Sequence, residues 1–113
     1  MAYNTAYTLK TYKSDRHISD ILSQVKKSDF DEMFFAIDGD GRTNNKCAWY
    51  EHERDMIKLS ILFPDIVFDL CGDGADPGDI WRKYFLNGKV QRCNAKITFD
   101  EFDSRKLNGE EGV

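Results

Sequence analysis

Residues 80–99 read IWRKYF, then LNGK, then VQRCNAKITF, and this stretch decides how the rest of the chain is read. Asn87-Gly88 is a strong hairpin signal, because both central residues of a type I′ turn need positive φ. A two-residue loop fixes the register, so Leu86 should pair with Lys89, Phe85 with Val90 and Arg82 with Cys93. Cross-strand partners share a face, and two faces follow. One holds Ile80, Tyr84, Leu86, Cys93, Ala95, Ile97 and Phe99 and reads as core. The other holds Trp81, Lys83, Phe85, Val90, Arg92, Lys96 and Thr98. Its aromatic rings among cations are expected to lie on an open sheet face.

Outward from the hairpin, the alternation of Tyr and Thr over residues 3–12 suits a strand. Ile18, Ile21, Leu22 and Val25 recur at helical spacing. The short apolar run Met33–Ile37 reads as a second strand. Trp49–Phe63 reads as a second helix, with the EHERD segment on its solvent side and Pro64 ending it. Ile66–Leu70 reads as a third strand. The order β-α-β-α-β-β-β predicts an α+β two-layer sandwich, with about five mainly antiparallel strands and two helices. Residues 1–107 form a single domain on this reading, and 108–113 a frayed tail.

The 113 residues carry a net charge of −4, with 41% hydrophobic and 13% aromatic residues. That composition supports one folded core and argues against broad, non-specific DNA binding. Cys47, Cys71 and Cys93 form no C-x-x-C pair, so a reduced cytoplasmic chain without a disulfide framework or zinc is expected. No apolar run approaches the roughly 20 residues of a membrane span, and the start of the sequence has no signal-peptide stretch.

Chemistry-bearing motifs are few. Asp38-Gly39-Asp40-Gly41 resembles the middle of a calcium loop. Aligned so, its first and twelfth ligand positions fall on Ala36 and Cys47, and a solvated turn accounts for it better. The second acidic glycine loop, residues 71–79, has neither a P-loop lysine nor a dinucleotide fingerprint. His17 and His52 have no i+4 partner. Cys47 or Cys93 with His52 is the one nucleophile pairing that can be drawn, for a small enzyme. No metal or cofactor is expected. The candidate binding residues are Trp81, Lys83, Tyr84, Phe85, Arg92 and Lys96, edged by Asp73, Asp76 and Asp79. Such a set could anchor a protein partner or stack single-stranded nucleic acid. The acidic total favours protein, and an unpaired edge strand could also give a homodimer.

Three segments carry a family resemblance: W-Y-E-H-E-x-D-M-x-x-L-S-x-x-F-P-D at 49–65, F-x-L-x-G-x-G at 68–74 and G-D-I-W-R-K-Y-F-x-N-G-K-V-Q at 78–91. Together they resemble small phage- and mobile-element-encoded proteins with a ferredoxin-like α/β domain. The resemblance covers about residues 48–107. It implies a non-enzymatic inhibitor of a host protein in the bacterial cytoplasm, of the anti-CRISPR type with a CRISPR effector as partner. It supplies no catalytic residues.

Overall fold

Strand β1 (Ala6–Tyr12) is followed by helix α1 (Ile18–Leu22), a 3₁₀ turn (Lys27–Asp29), and helices α2 (Asp31–Ala36) and α3 (His52–Leu62). Three strands then follow, β2 (Val67–Asp73), β3 (Ile80–Leu86) and β4 (Lys89–Asn94), with a last 3₁₀ turn at Ser104–Lys106. The computed structural model describes residues 3–109. Of the expected tail, residues 110–113 lie outside the described residues. The strands form one sheet in the order β1-β2-β3-β4, antiparallel throughout. The α+β class therefore holds, with four strands and three helices among the described residues. All neighbours are antiparallel and in sequence order, so the sheet has no split βαβ crossover of the ferredoxin-like kind.

The Asn-Gly corner forms as its chemistry requires, with φ of 45° at Asn87 and 81° at Gly88. The register is the one the turn dictates: Leu86 faces Lys89, Phe85 faces Val90 and Arg82 faces Cys93. Tertiary structure reinforces the turn, because the Gly88 N–H donates to Ser60 Oγ on α3 at 2.9 Å.

The run 30–37 is helical, not the expected strand. Phe30, Met33, Phe34 and Ile37 stand at i, i+3, i+4 and i+7, a helical stripe that a short apolar run disguises. Asp31 and Glu32 occupy the first turn, where the helix dipole favours carboxylates. This replacement removes the fifth strand. Helix α1 stops at Leu22, short of Val25. Ser23 Oγ donates to the Asp20 carbonyl at 2.7 Å, a local bond that competes with the helical ladder. Helix α3 starts three residues later than expected, because Trp49 is drawn under β1: its backbone N–H donates to the Tyr7 hydroxyl.

All three helices feed one buried cluster against one sheet face. Ile21, Leu22, Met33, Ala36, Met56 and Leu59 pack there against Tyr7, Leu9, Phe68, Leu70 and Phe85. The register puts Trp81, Lys83 and Phe85 on that covered face, opposite Gly72, Leu70 and Phe68. This inverts the faces expected from the hairpin alone. Phe85, expected on the open side, is fully buried. Ile80 and Leu86, expected in the core, are exposed. Both faces of the hairpin carry aromatics, and the choice between them is made by where α3 lies.

The hairpin is also shorter than its sequence pattern. Ala95 N–H still donates to the Ile80 carbonyl, but β3 begins at Ile80 and offers no further partner. Ile97 and Phe99, expected in the core, are therefore 62% and 90% exposed. Residues 95–109 leave the sheet as an arm with exposed side chains nearly throughout. The Cα radius of gyration is accordingly 18.2 Å, against about 13 Å for a compact chain of this length.

The covered face yields a direct test. Phe85→Ala should lower unfolding stability in urea by about 3–5 kcal/mol. Tyr84→Ala, one residue away on the bare face, should stay within about 1 kcal/mol.

Candidate functional site

At the N-terminal end of α3, helix and sheet side chains build one contiguous cluster. Gly72 sits opposite Trp81, and a Cβ on Gly72 would collide with the indole. The missing side chain lets the Trp81 ring lie close against β2. His52, the first residue of α3, stacks on that indole with centroids 5.0 Å apart and planes 24° apart. The Lys83 ammonium stands 4.7 Å from the Trp81 ring centroid. It also lies 2.7 Å from His52 Nε2 and 2.8 Å from Glu53 Oε2. Arg92 closes the cluster from β4. Its Nε donates to Glu53 Oε2 and its Nη2 to Glu53 Oε1, both at 2.7 Å, the paired geometry guanidinium favours.

The partners assign the His52 tautomer. Nδ1 lies 3.0 Å from the Trp49 carbonyl, which can only accept, so Nδ1 carries the proton and Nε2 accepts from Lys83. Burial, helped by the Lys83 charge, pushes the His52 pKa below its ordinary value and overrides the opposing Trp49 contact. Glu53 is pulled down to about 2, first by the Arg92 hydrogen bonds and then by Lys83.

Beside this cluster runs a groove of about 300 Å³, lined by Tyr3, Tyr7, Trp49, Tyr50, His52, Asp79 and Trp81 among others. Tyr50 is 76% exposed at its edge. The Tyr3 hydroxyl donates to Asp79 Oδ2 at 2.6 Å and accepts from the Asp76 N–H at 2.9 Å. The acidic loop is thereby tied to the groove. The chemistry on offer is aromatic surface beside carboxylates, which suits a basic side chain by stacking and by charge.

The candidate residues divide. Trp81, Lys83 and Arg92 come together around Glu53, and Asp76 and Asp79 flank the adjoining groove. Asp73 ends β2 and is exposed. Phe85 belongs to the core and offers no surface. Tyr84 points to the bare face, where its ring meets Tyr12 with centroids 5.3 Å apart. Lys96 is exposed at the root of the arm. Sequence reasoning missed Glu53 and read His52 as a solvated histidine. It also placed all of EHERD in solvent, whereas Asp55 is buried and accepts from Trp49 Nε1 at 2.8 Å. The available signal was the repeated spacing of aromatic and acidic groups in WYEHERD, but the partners lie in distant strands.

The other motifs resolve locally. Asp38 Oδ1 accepts from the Asp40 and Arg42 N–H groups at 2.9 and 3.0 Å, an Asx-type turn that Gly41 completes with φ of 80°. Both His52 ring nitrogens are engaged by Trp49 and Lys83, which leaves none for a thiol. Burial raises the Cys47 pKa, the direction away from an activated nucleophile. No described helix is long and apolar enough to cross a membrane. No protein-family model, curated protein or solved structure matches the chain.

The cluster predicts a two-stage loss of stability in acid. A histidine with a lowered folded pKa stabilises the fold fully above its unfolded value of 6.5 and loses that contribution as pH falls below it. Glu53 behaves likewise between 4.5 and about 2. Melting temperature should therefore fall first below about pH 6.5. His52→Gln should flatten that first limb, and Glu53→Gln only the lower one.

Proposed function

We propose that the chain is a non-enzymatic binding protein that inhibits a host protein, with a CRISPR effector as the candidate partner. It would act by seating the aromatic and acidic surface at the start of α3 in a basic groove that normally holds nucleic acid. The observation that carries this reading is the pairing of Tyr3, Tyr50 and Trp81 with Asp76 and Asp79 around one groove. Aromatic anchors ringed by polar groups are the usual make-up of protein-binding hot spots. Carboxylates at the rim would meet the cations that bind phosphate and steer the encounter. The resemblance of residues 48–107 to phage-encoded proteins directs the choice of partner.

The charge distribution favours this over direct binding of single-stranded nucleic acid. Lys83 and Arg92 both pair with the single carboxylate of Glu53, and Arg82 stands 3.3 Å from Asp69. Each of these cations already has a carboxylate of the protein as a partner, and Asp76 and Asp79 beside the groove would repel phosphate. The anchors on this reading are Trp81 and Tyr50, with Lys83 and Arg92 positioning the indole.

The test is inhibition of DNA cleavage by purified guide-loaded CRISPR effectors, with binding measured in parallel. The wild-type chain should bind and inhibit one of them. Tyr50→Ala with Trp81→Ala should weaken binding by about tenfold or more while circular dichroism shows the fold intact. Normal inhibition by that folded variant would refute the site. Salt-sensitive binding of labelled single-stranded DNA by the chain alone would support the nucleic-acid reading instead.

A further inference from the structure

The bare face of the sheet and the C-terminal arm both leave large apolar side chains exposed, and they have matching chemistry. The face carries Tyr12, Tyr84, Ile80 and Leu86, and no described helix lies over it. Two shallow grooves mark it. One, of about 510 Å³, lies along Tyr12, Tyr84, Leu86 and Lys89. The other, of about 330 Å³, lies along Ile80, Arg82, Tyr84 and Cys93. The arm presents Ile97, Phe99 and Phe102 at 62%, 90% and 80% exposure. Leaving side chains of this size in water forgoes a large favourable term.

We propose that two copies of the chain exchange arms, each laying residues 96–103 across the bare sheet face of the other. This uses a different surface from the groove at the start of α3.

Charge supports the match. Lys10 and Arg82 share the single carboxylate of Asp69, at 4.0 and 3.3 Å. Asp69 is only 1% exposed although it lies on the uncovered side. With Lys89 exposed at the hairpin end and Asp73 the second carboxylate on this side, three strand cations meet two carboxylates and the face keeps one positive charge in excess. The arm brings Asp100 and Glu101 between its two phenylalanines. Asp103 is already bonded to Arg105, and Asp100 lies 3.5 Å from Lys106, so Glu101 and the outer side of Asp100 are the groups left to meet Lys10, Arg82 and Lys89.

Chain geometry selects a second copy over the arm's own sheet. The arm leaves β4 at the end away from the hairpin turn. Reaching its own bare face would need a reversal at its root, yet Ala95–Phe99 (AKITF) contains no Gly, Pro, Asn, Asp or Ser to make one. Thr98, Ile97 and the phenylalanines favour extended backbone instead. Eight extended residues reach about 26 Å, enough to cross a neighbouring sheet. Reciprocal exchange gives a closed two-fold dimer. Each aromatic buries roughly 150–250 Å². Two arms and the faces they cover then approach the roughly 1,200–2,000 Å² of specific interfaces.

The experiment is sedimentation equilibrium on the full chain, with Phe99→Asp plus Phe102→Asp on the arm and Tyr84→Asp on the face as separate variants. The wild type should sediment at twice the 13.1 kDa chain mass. Either variant should weaken the dimer by about tenfold or more, with melting of the monomer confirming that it is folded. A mixed sample of isotope-labelled and unlabelled wild-type chains should show intermolecular nuclear Overhauser contacts between Phe99 or Phe102 and Tyr12 or Tyr84. A monomeric wild type overturns the proposal. So does a dimer that the variants leave intact, or one whose intermolecular contacts avoid these rings.

Discussion

The seating of α3 across β2, β3 and β4 is the constraint on which the rest of the molecule depends. Three contacts hold it. In the middle, Met56 and Leu59 join Phe68, Leu70 and Phe85 in the buried cluster. At the C-terminal end, Ser60 Oγ accepts from Gly88 in the hairpin turn while donating to the Ile57 carbonyl. At the N-terminal end, Glu53 takes Lys83 from β3 and Arg92 from β4. Dispersion and hydrophobic burial supply most of the energy. The polar contacts at the two ends give the helix its direction and its position along the hairpin.

That seating explains why cations lie on a covered face. Lys83 and Arg92 would be costly under a purely apolar helix. Glu53 sits where the helix begins, so both charges reach a carboxylate at the rim while their stems cover the sheet. The same arrangement braces Trp81 with His52 and Lys83 together, and the indole still lines the groove with Tyr3 and Tyr50. Binding surface and core are thus two sides of one packing decision. Below Glu53 the face belongs to the core, and beyond it the aromatics become available.

Local chemistry was legible in the sequence and long-range choices were not. The Asn87-Gly88 turn and the full β3–β4 register follow from two residues whose backbone preference is intrinsic. The stop of α3 before Pro64 and the last strands before the arm follow in the same way. Which hairpin face is buried does not, since Phe85 and Tyr84 alternate with similar bulk and only the position of Glu53 and Met56 decides between them. Met33–Ile37 reads equally as a strand or as half of a helical stripe until Phe30 is counted with it. The end of β4 is set by where β3 begins, so Ile97 and Phe99 carry strand propensity without a strand to join. At the site, Trp81 and Arg92 were visible as anchors, but His52 and Glu53 gain their roles only through residues some 30 to 40 positions away.

The measurement that bears most directly on this account is a double-mutant cycle on Glu53→Gln and Lys83→Met, read by urea unfolding at neutral pH. If α3 is seated as described, the two substitutions should couple by about 0.5–3 kcal/mol. Simple additivity of the two effects would contradict it, because Glu53 and Lys83 would then not be partners and the covered face would have to be reassigned.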